Sequence, residues 1–232
     1  MDVISLAELV EFVVAVPGQH NLTGSLEDFA RLLREESLSS LDSACPGAFA
    51  FLVFHPAADG PVGDYVRRGT LASDTGPRVL AFFTLDPDAV ASPPFPYVPG
   101  VRVNTEVHVA YEVTRALFAP HTPPALPGVV LVGQLSGTHD AIYVPLGDLP
   151  DEDGVRSRLR SVFTLAGQAL EGPAGREGFA DRTAKALLAQ GVPCRRSGRR
   201  SIGEWLAGAY HLLARHGLEL MTVLGGTLAG RN

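Results

Sequence analysis

Ala48-Phe49-Ala50-Phe51-Leu52-Val53-Phe54 is an unbroken apolar run set between Pro46-Gly47 and His55-Pro56. A strand with one solvated face alternates apolar and polar residues, and this run does not. It suits a central strand covered by helices on both faces. Arg78-Val79-Leu80-Ala81-Phe82-Phe83-Thr84-Leu85 reads as a second buried strand, stopped by Asp86-Pro87. Val62 to Arg68 between them reads as a short helix. Phe51 and Val53 are therefore expected on a central strand of an α/β sheet, flanked by strands around Ala81 and Val130.

Downstream, Pro87, Pro93, Pro94, Pro96 and Pro99 crowd one loop. Each proline removes an amide donor and fixes φ, so this segment is expected to be extended and stiff. Long loops in compact domains are often functional, which makes Pro94, Phe95 and Tyr97 candidates for contacting a partner. Asn104 can cap a helix from Thr105 to Phe118, with Val109, Val113, Leu117 and Tyr111 inward. Val129-Val130-Leu131-Val132 reads as a strand, Ser136 to Asp140 as a hairpin turn and Ala141 to Pro145 as the return strand. Pro145 is best tolerated on an edge. Asp151, Glu152 and Asp153 favour a helix N-terminus, and Val155, Leu159, Val162, Phe163 and Ala166 share one face of that helix.

Outside this stretch the reading is helical. Val3 to Val16 has Leu6, Leu9, Val10, Val13 and Val14 at helical spacing, and Pro17-Gly18 ends it. Ser25-x-x-Asp28 resembles a capping box ahead of Phe29, Leu32 and Leu33. Gly172 to Gly178 is rich in Pro and Gly and reads as a linker. Beyond it lie a helix from Phe179 to Gln190, a basic loop from Pro193 to Arg200 and a helix from Ser201 to His216. Ser201 and Glu204 cap that last helix, and Trp205 reads as one of its core residues. The tail Leu218 to Leu228 fits helix or strand. The expected division is a helical extension over 1–44, an α/β core over 45–171 and a C-terminal helical extension over 179–232.

Composition narrows the function classes. The chain has 232 residues, 46% hydrophobic and 19% charged, which is too apolar for a disordered chain and enough for a real core. Its net charge of −6 argues against a dedicated nucleic-acid binder. The charge is uneven: residues 179–232 hold eight Lys and Arg against three Asp and Glu, or +5, leaving −11 on residues 1–178. Such asymmetry can mark a docking surface. Cys45 and Cys194 are the only cysteines. They form no Cys-x-x-Cys pair, so no zinc or dithiol site follows from spacing, and both are expected to stay reduced. Glu8 and Glu11 interrupt the first apolar run, which is unlike a signal peptide. His211, Arg215, His216 and Glu219 interrupt the last, which is unlike a membrane span. A cytoplasmic location follows as the expectation.

The segment order from Ala48 to Leu170 resembles the thioredoxin-like superfamily, over just over half the chain. Phe51-Leu52-Val53-Phe54 is similar to that family's central strand, which leads into its active-site loop. Asp59-Gly60-Pro61-Val62 lies where the redox motif Cys-Gly-Pro-Cys would be, and keeps Gly-Pro without either sulfur. Leu126-Pro127-Gly128-Val129 resembles the stretch in which a cis-proline precedes the third strand. The resemblance implies a three-layer core with a mixed sheet, to which the chain adds N-terminal and C-terminal helices. The competing architecture is another three-layer α/β domain with a parallel core. Thiol–disulfide exchange needs a thiolate, which aspartate and valine cannot supply. Family members without these cysteines often serve as binding or structural modules. The C-terminal helices also resemble the general arrangement of glutathione-transferase-like proteins, without their signature residues.

Few residues suggest chemistry. Ser136, His139 and Asp140 invite a triad reading, but sequence neighbours rarely have triad geometry, and no Gly-x-Ser-x-Gly elbow exists. His55, Asp59, Asp64, Asp74 and Asp86 fall near strand C-termini, where open α/β sheets bind ligands, though turn and cap chemistry also selects aspartate. Their spacing carries no metal signature. Arg195, Arg196, Arg199 and Arg200 form the densest charge cluster and lack the interleaved aromatics of a nucleic-acid site. They are the leading partner-binding candidates, with an acidic protein surface as counterpart, on a partner or on residues 1–178. The functional expectation is a non-catalytic scaffold or binding component of a larger assembly, with no cofactor implied and an oligomer compatible. The alternative is an enzyme acting on a small molecule in a cleft between the α/β core and the C-terminal helices.

Overall fold

The computed structural model describes residues 3–5, 35–45, 47–55, 59–85, 109–171, 175–215 and 219–223. The strands are β1 (Val3–Ser5), β2 (Ala48–Val53), β3 (Val79–Leu85), β4 (Gly128–Val132), β5 (Thr138–Pro145), β6 (Arg195–Ser201) and β7 (Glu219–Val223). The helices are α1 (Glu35–Ala44), α2 (Gly60–Arg67), α3 (Leu71–Thr75), α4 (Val109–Phe118), α5 (Glu152–Ala169), α6 (Phe179–Ala189) and α7 (Ile202–Arg215). The seven strands among the described residues join one sheet in the order β1-β7-β3-β2-β4-β5-β6. Among the described strands only β2 and β3 run parallel; every other neighbouring pair is antiparallel. The protein is thus α/β with a mixed sheet, and β2 lies between β3 and β4 as its apolar run requires.

Alternate residues of that run sort onto the two faces of the sheet. Phe49, Phe51 and Val53 join Phe82 and Leu80 in a core beneath α1, α4 and α7. Ala48, Ala50, Leu52 and Phe54 join Ala81, Val129 and Ile142 in a second core beneath α2, α5 and α6. On the first face the Phe51 ring stacks on Phe82 at 4.5 Å and meets Trp205 edge-on at 5.0 Å. Trp205 also donates its indole N–H to the Val113 carbonyl at 2.9 Å, so this core residue has no unpaired polar atom. Val155, Leu159, Val162, Phe163 and Ala166 of α5 are all buried, as their spacing predicts. The Asp151 carboxylate caps α5 by accepting from the Gly154 amide at 2.8 Å.

Both ends of the chain depart from the helical expectation. Val3–Ser5, read as the start of a helix, is a strand paired with β7. The tail, left open between helix and strand, is a strand at Glu219–Val223, paired to both β1 and β3. The basic loop Pro193 to Arg200 is largely the strand β6, paired with β5. Pro145 belongs to an interior strand, yet the β5–β6 register runs from Thr138 to Tyr143 and ends before it. Its missing donor therefore falls where β5 is paired on one side only. The Leu126-Pro127 peptide is cis. No helix among the described residues is long and apolar enough to cross a membrane. The Ser25 helix and the proline-rich loop with Pro94, Phe95 and Tyr97 lie outside the described residues, as does Asp86.

Candidate functional site

Three places on the fold bring chemistry-bearing residues together. The first is the turn from β2 into α2. Asp59 is the N-terminal cap of α2, and its Oδ2 accepts from the His55 amide at 2.5 Å. Burial pushes the Asp59 carboxyl above its usual range, and the His55 amide and charge partly offset this. Pro61 occupies the first turn of α2, where a missing amide costs nothing. Val62 points into the second core and is almost fully buried. The segment therefore places an acid bonded back to the His55 amide, and a packed aliphatic side chain, at the head of α2. Its other acids are dispersed. Asp64 pairs with Arg67 on the helix surface. Asp74 accepts from Tyr65 and from Arg156 beneath α5. Among the described residues no group of three His, Cys, Asp or Glu is placed to hold a metal ion.

The second place is the Ser136 turn and the start of β5: the segment Ser136 to Asp140 reads as a hairpin turn in sequence, but His139 and Asp140 are already paired in the strand. The structure sends the three groups to three different partners. The Ser136 hydroxyl donates to Asp42 at 2.5 Å, the His139 Nε2 lies 2.7 Å from the Ser136 carbonyl, and Asp140 accepts from Arg196. This arrangement organises a turn and forms no triad. Its centre is Asp42, a carboxylate on α1 that is 5% exposed. Besides the Ser136 hydroxyl, Asp42 accepts from the amides of Leu135 at 2.9 Å and Ser136 at 3.0 Å. Arg176 stands 3.5 Å from it and donates to the carbonyls of Asp42 and Cys45. Arg182 likewise bonds the carbonyls of Ala169 and Glu177. The segment read as a linker is therefore fastened on both sides where it is described.

The third place is β6. Between Asp140 and Ile142 the partner strand advances by two residues while β6 advances by three, from Arg199 to Arg196. The extra residue is a β-bulge at Ser197-Gly198, with Gly198 at φ +74°. The Ser197 hydroxyl accepts from the Ala141 amide at 2.9 Å, replacing a ladder bond that the bulge interrupts. A bulge also shifts the strand's phase. Strict alternation would pair Arg195 with Arg199 on one face and Arg196 with Arg200 on the other. Instead, Arg195 and Arg200 both reach toward the end of α4: Arg195 bonds the Thr122 carbonyl and lies over the Phe118 ring, and Arg200 bonds the Ala119 carbonyl. Arg196 and Arg199 both face α6, where they line an open cleft of about 430 Å³ with Arg176, His139 and Phe179.

The four arginines are not electrically equivalent. Arg196 bridges Asp140 on β5 and Asp181 on α6, and these bonds hold its proton more firmly. Arg195, Arg199 and Arg200 bond backbone carbonyls, and among the described residues none of them has a carboxylate within ion-pair distance. One arginine thus serves as an internal strut, while three charges remain without a counter-charge among the described residues.

Gly198 offers a direct check on the bulge. A Cβ there would meet no atom within 4 Å, so the cost of a side chain comes from the positive φ alone. Gly198→Ala is expected to lower stability by about 1 kcal/mol, and Gly198→Asn by clearly less because asparagine tolerates this conformation. Urea denaturation of the three proteins measures it. Equal midpoints for alanine and glycine would show that residue 198 does not hold this backbone in solution.

Arg176 and Asp42 escape sequence reading because 134 positions separate them. One signal does exist. Leu38, Asp42 and Cys45 follow helical spacing on an apolar stripe, and an acid on such a stripe implies a buried partner. No family of known proteins, no curated protein and no solved structure matches the chain.

Proposed function

We propose that the chain is a redox-inactive, thioredoxin-like module that binds another protein within a larger assembly. The observation that carries this reading is the head of α2. That turn follows the central strand, where a thioredoxin-like fold would present its nucleophile. Here it presents the Asp59 cap and the buried Val62. The position of β2 between β3 and β4, the hairpin β4–β5 and the following α5 support the same family reading. The two thiols support a role without disulfide exchange. Cys45 packs in the core on one face of the sheet and Cys194 against the core on the other. Burial pushes both thiols above their usual pKa, which keeps them protonated near neutral pH.

The double variant Cys45→Ala, Cys194→Ala should therefore retain partner capture at the parental level. Its loss, together with reversible disulfide formation in the parent, would refute the redox-inactive reading. The function itself is tested by mass spectrometry of the chain captured from native extract. Stoichiometric protein partners are the expected result. A retained metabolite in their place would favour an enzyme.

The cleft beside α6 is the observation in favour of that second reading. It lies between the sheet and a C-terminal helix, where a small-molecule site was expected, and its volume is in the range of ligand pockets. Its Arg196, Asp140 and Asp181 are, however, spent on one another. The protein-binding reading needs no such groups to be released.

A further inference from the structure

We propose that an extended acidic segment of a partner protein adds to the outer edge of β6 as an eighth strand. This names the partner chemistry of the binding module argued above and rests on that reading. The observations are the place of β6 in the sheet, its backbone phase and its unmatched charge.

β6 is the last strand of the sheet, and among the described residues it pairs with β5 alone. Its outer backbone groups are in phase to accept another strand. The Ile202 amide donates to the Gly137 carbonyl, which sets Gly137 and Ile202 as a bonded pair. In an antiparallel ladder bonded and non-bonded pairs alternate. The pairs Thr138–Ser201 and Asp140–Arg199 are then of the non-bonded kind, so Ser201 and Arg199 turn their amides and carbonyls away from β5. These are the groups that an added strand would use.

Charge decides which strand can be added. Two copies of Arg195-Arg196-Ser197-Gly198-Arg199-Arg200-Ser201 placed edge to edge would set arginines against arginines, which is unfavourable for directly opposed pairs. The edge is thus closed to a second copy of this chain. An acidic strand meets the reverse situation. The bulge directs Arg199 toward α6 and Arg200 toward α4, so alternate carboxylates of an incoming strand find a guanidinium on each face. Carbonyl contacts leave the charges of Arg195, Arg199 and Arg200 undiminished, in a chain whose net charge is −6. An edge that needed only protection from aggregation would be served by one or two charges.

The test is selection of displayed random nonapeptides on the full chain at low salt. Acidic, proline-poor peptides should be enriched. A labelled peptide from that pool should lose at least tenfold in affinity when alternate residues are N-methylated, which removes backbone donors without changing charge. It should lose at least tenfold again when Arg199→Glu and Arg200→Glu are introduced together. Hydrogen exchange at the amides of Arg199 and Ser201 in the unmodified chain should slow on peptide binding, and this readout needs no variant to fold. Enrichment of basic or apolar peptides, absence of any enrichment, or equal binding of the N-methylated peptide would overturn the proposal. So would self-association of the free chain that the Arg199→Glu, Arg200→Glu variant abolishes. If native extract yields a stoichiometric partner whose binding ignores both variant and N-methylated competitor, the module reading stands and the added strand falls.

Discussion

Replacing Asp42 with alanine is expected to lower stability by about 3–5 kcal/mol, the scale for removing one member of a buried charge pair. The variant leaves the amides of Leu135 and Ser136 and the Ser136 hydroxyl without their acceptor. It also leaves Arg176 beside an apolar gap. Charge is not the whole of the loss, because unpaired buried donors each carry a desolvation penalty. Asp42→Asn keeps one acceptor oxygen and should fall between alanine and the parent. Arg176→Met, combined with Asp42→Ala, should recover part of the loss, since the second change removes the stranded cation. Thermal and urea denaturation of the parent, the two single Asp42 variants and the double variant measures these differences. A loss under about 1 kcal/mol for Asp42→Ala would mean that these bonds are replaced by water, and that α1 is not fastened to the Ser136 turn.

Phe51→Ala should cost about as much, roughly 3–5 kcal/mol. Phe51 stands on the central strand, with Phe82 stacked on one side and Trp205 against its edge. Its removal opens a cavity that β2 cannot close, because both strands beside it fix its position. Phe51→Leu keeps most of the volume and loses the two ring contacts, so it should cost roughly 1–2 kcal/mol. Fluorescence of the single Trp205 reports the change at the site itself. Unchanged emission in folded Phe51→Ala would show that the indole does not pack on this ring.

The parts of the fold that were legible in sequence are those whose signal is local. β2 and β3 announced themselves because strands buried on both faces have no polar phase to hide them. α5 did so through an acidic first turn and a regular apolar stripe. β6 reads as a loop in sequence because an edge strand of arginine, serine and glycine carries no apolar alternation, and its pairing with β5 is a tertiary fact. Val3–Ser5 reads as helix in sequence because a three-residue strand cannot outweigh the helical spacing of the residues after it. The candidate site divides in the same way. The arginine cluster was visible as composition, but its split into two faces depends on one extra residue opposite Ala141. The Ser136, His139 and Asp140 group was visible as a triplet of the right types. Asp42 decides what its hydroxyl does, and Asp42 lies 94 positions away.

The pairing of β7 with β3 has a consequence for biosynthesis. A ribosome delivers β3 with residue 85 but delivers β7 only with residues 219–223, so among the described residues the outer rim of β3 has no strand beside it while more than half of the chain is being made. Over that interval Ala81, Phe82 and Phe83 present an apolar strand with one unsatisfied row of hydrogen-bonding groups. A truncated or stalled product ending before residue 219 would keep this rim permanently. Such fragments should be insoluble or chaperone-bound where the finished chain is not, even though every residue of the central strand and its helices is already present.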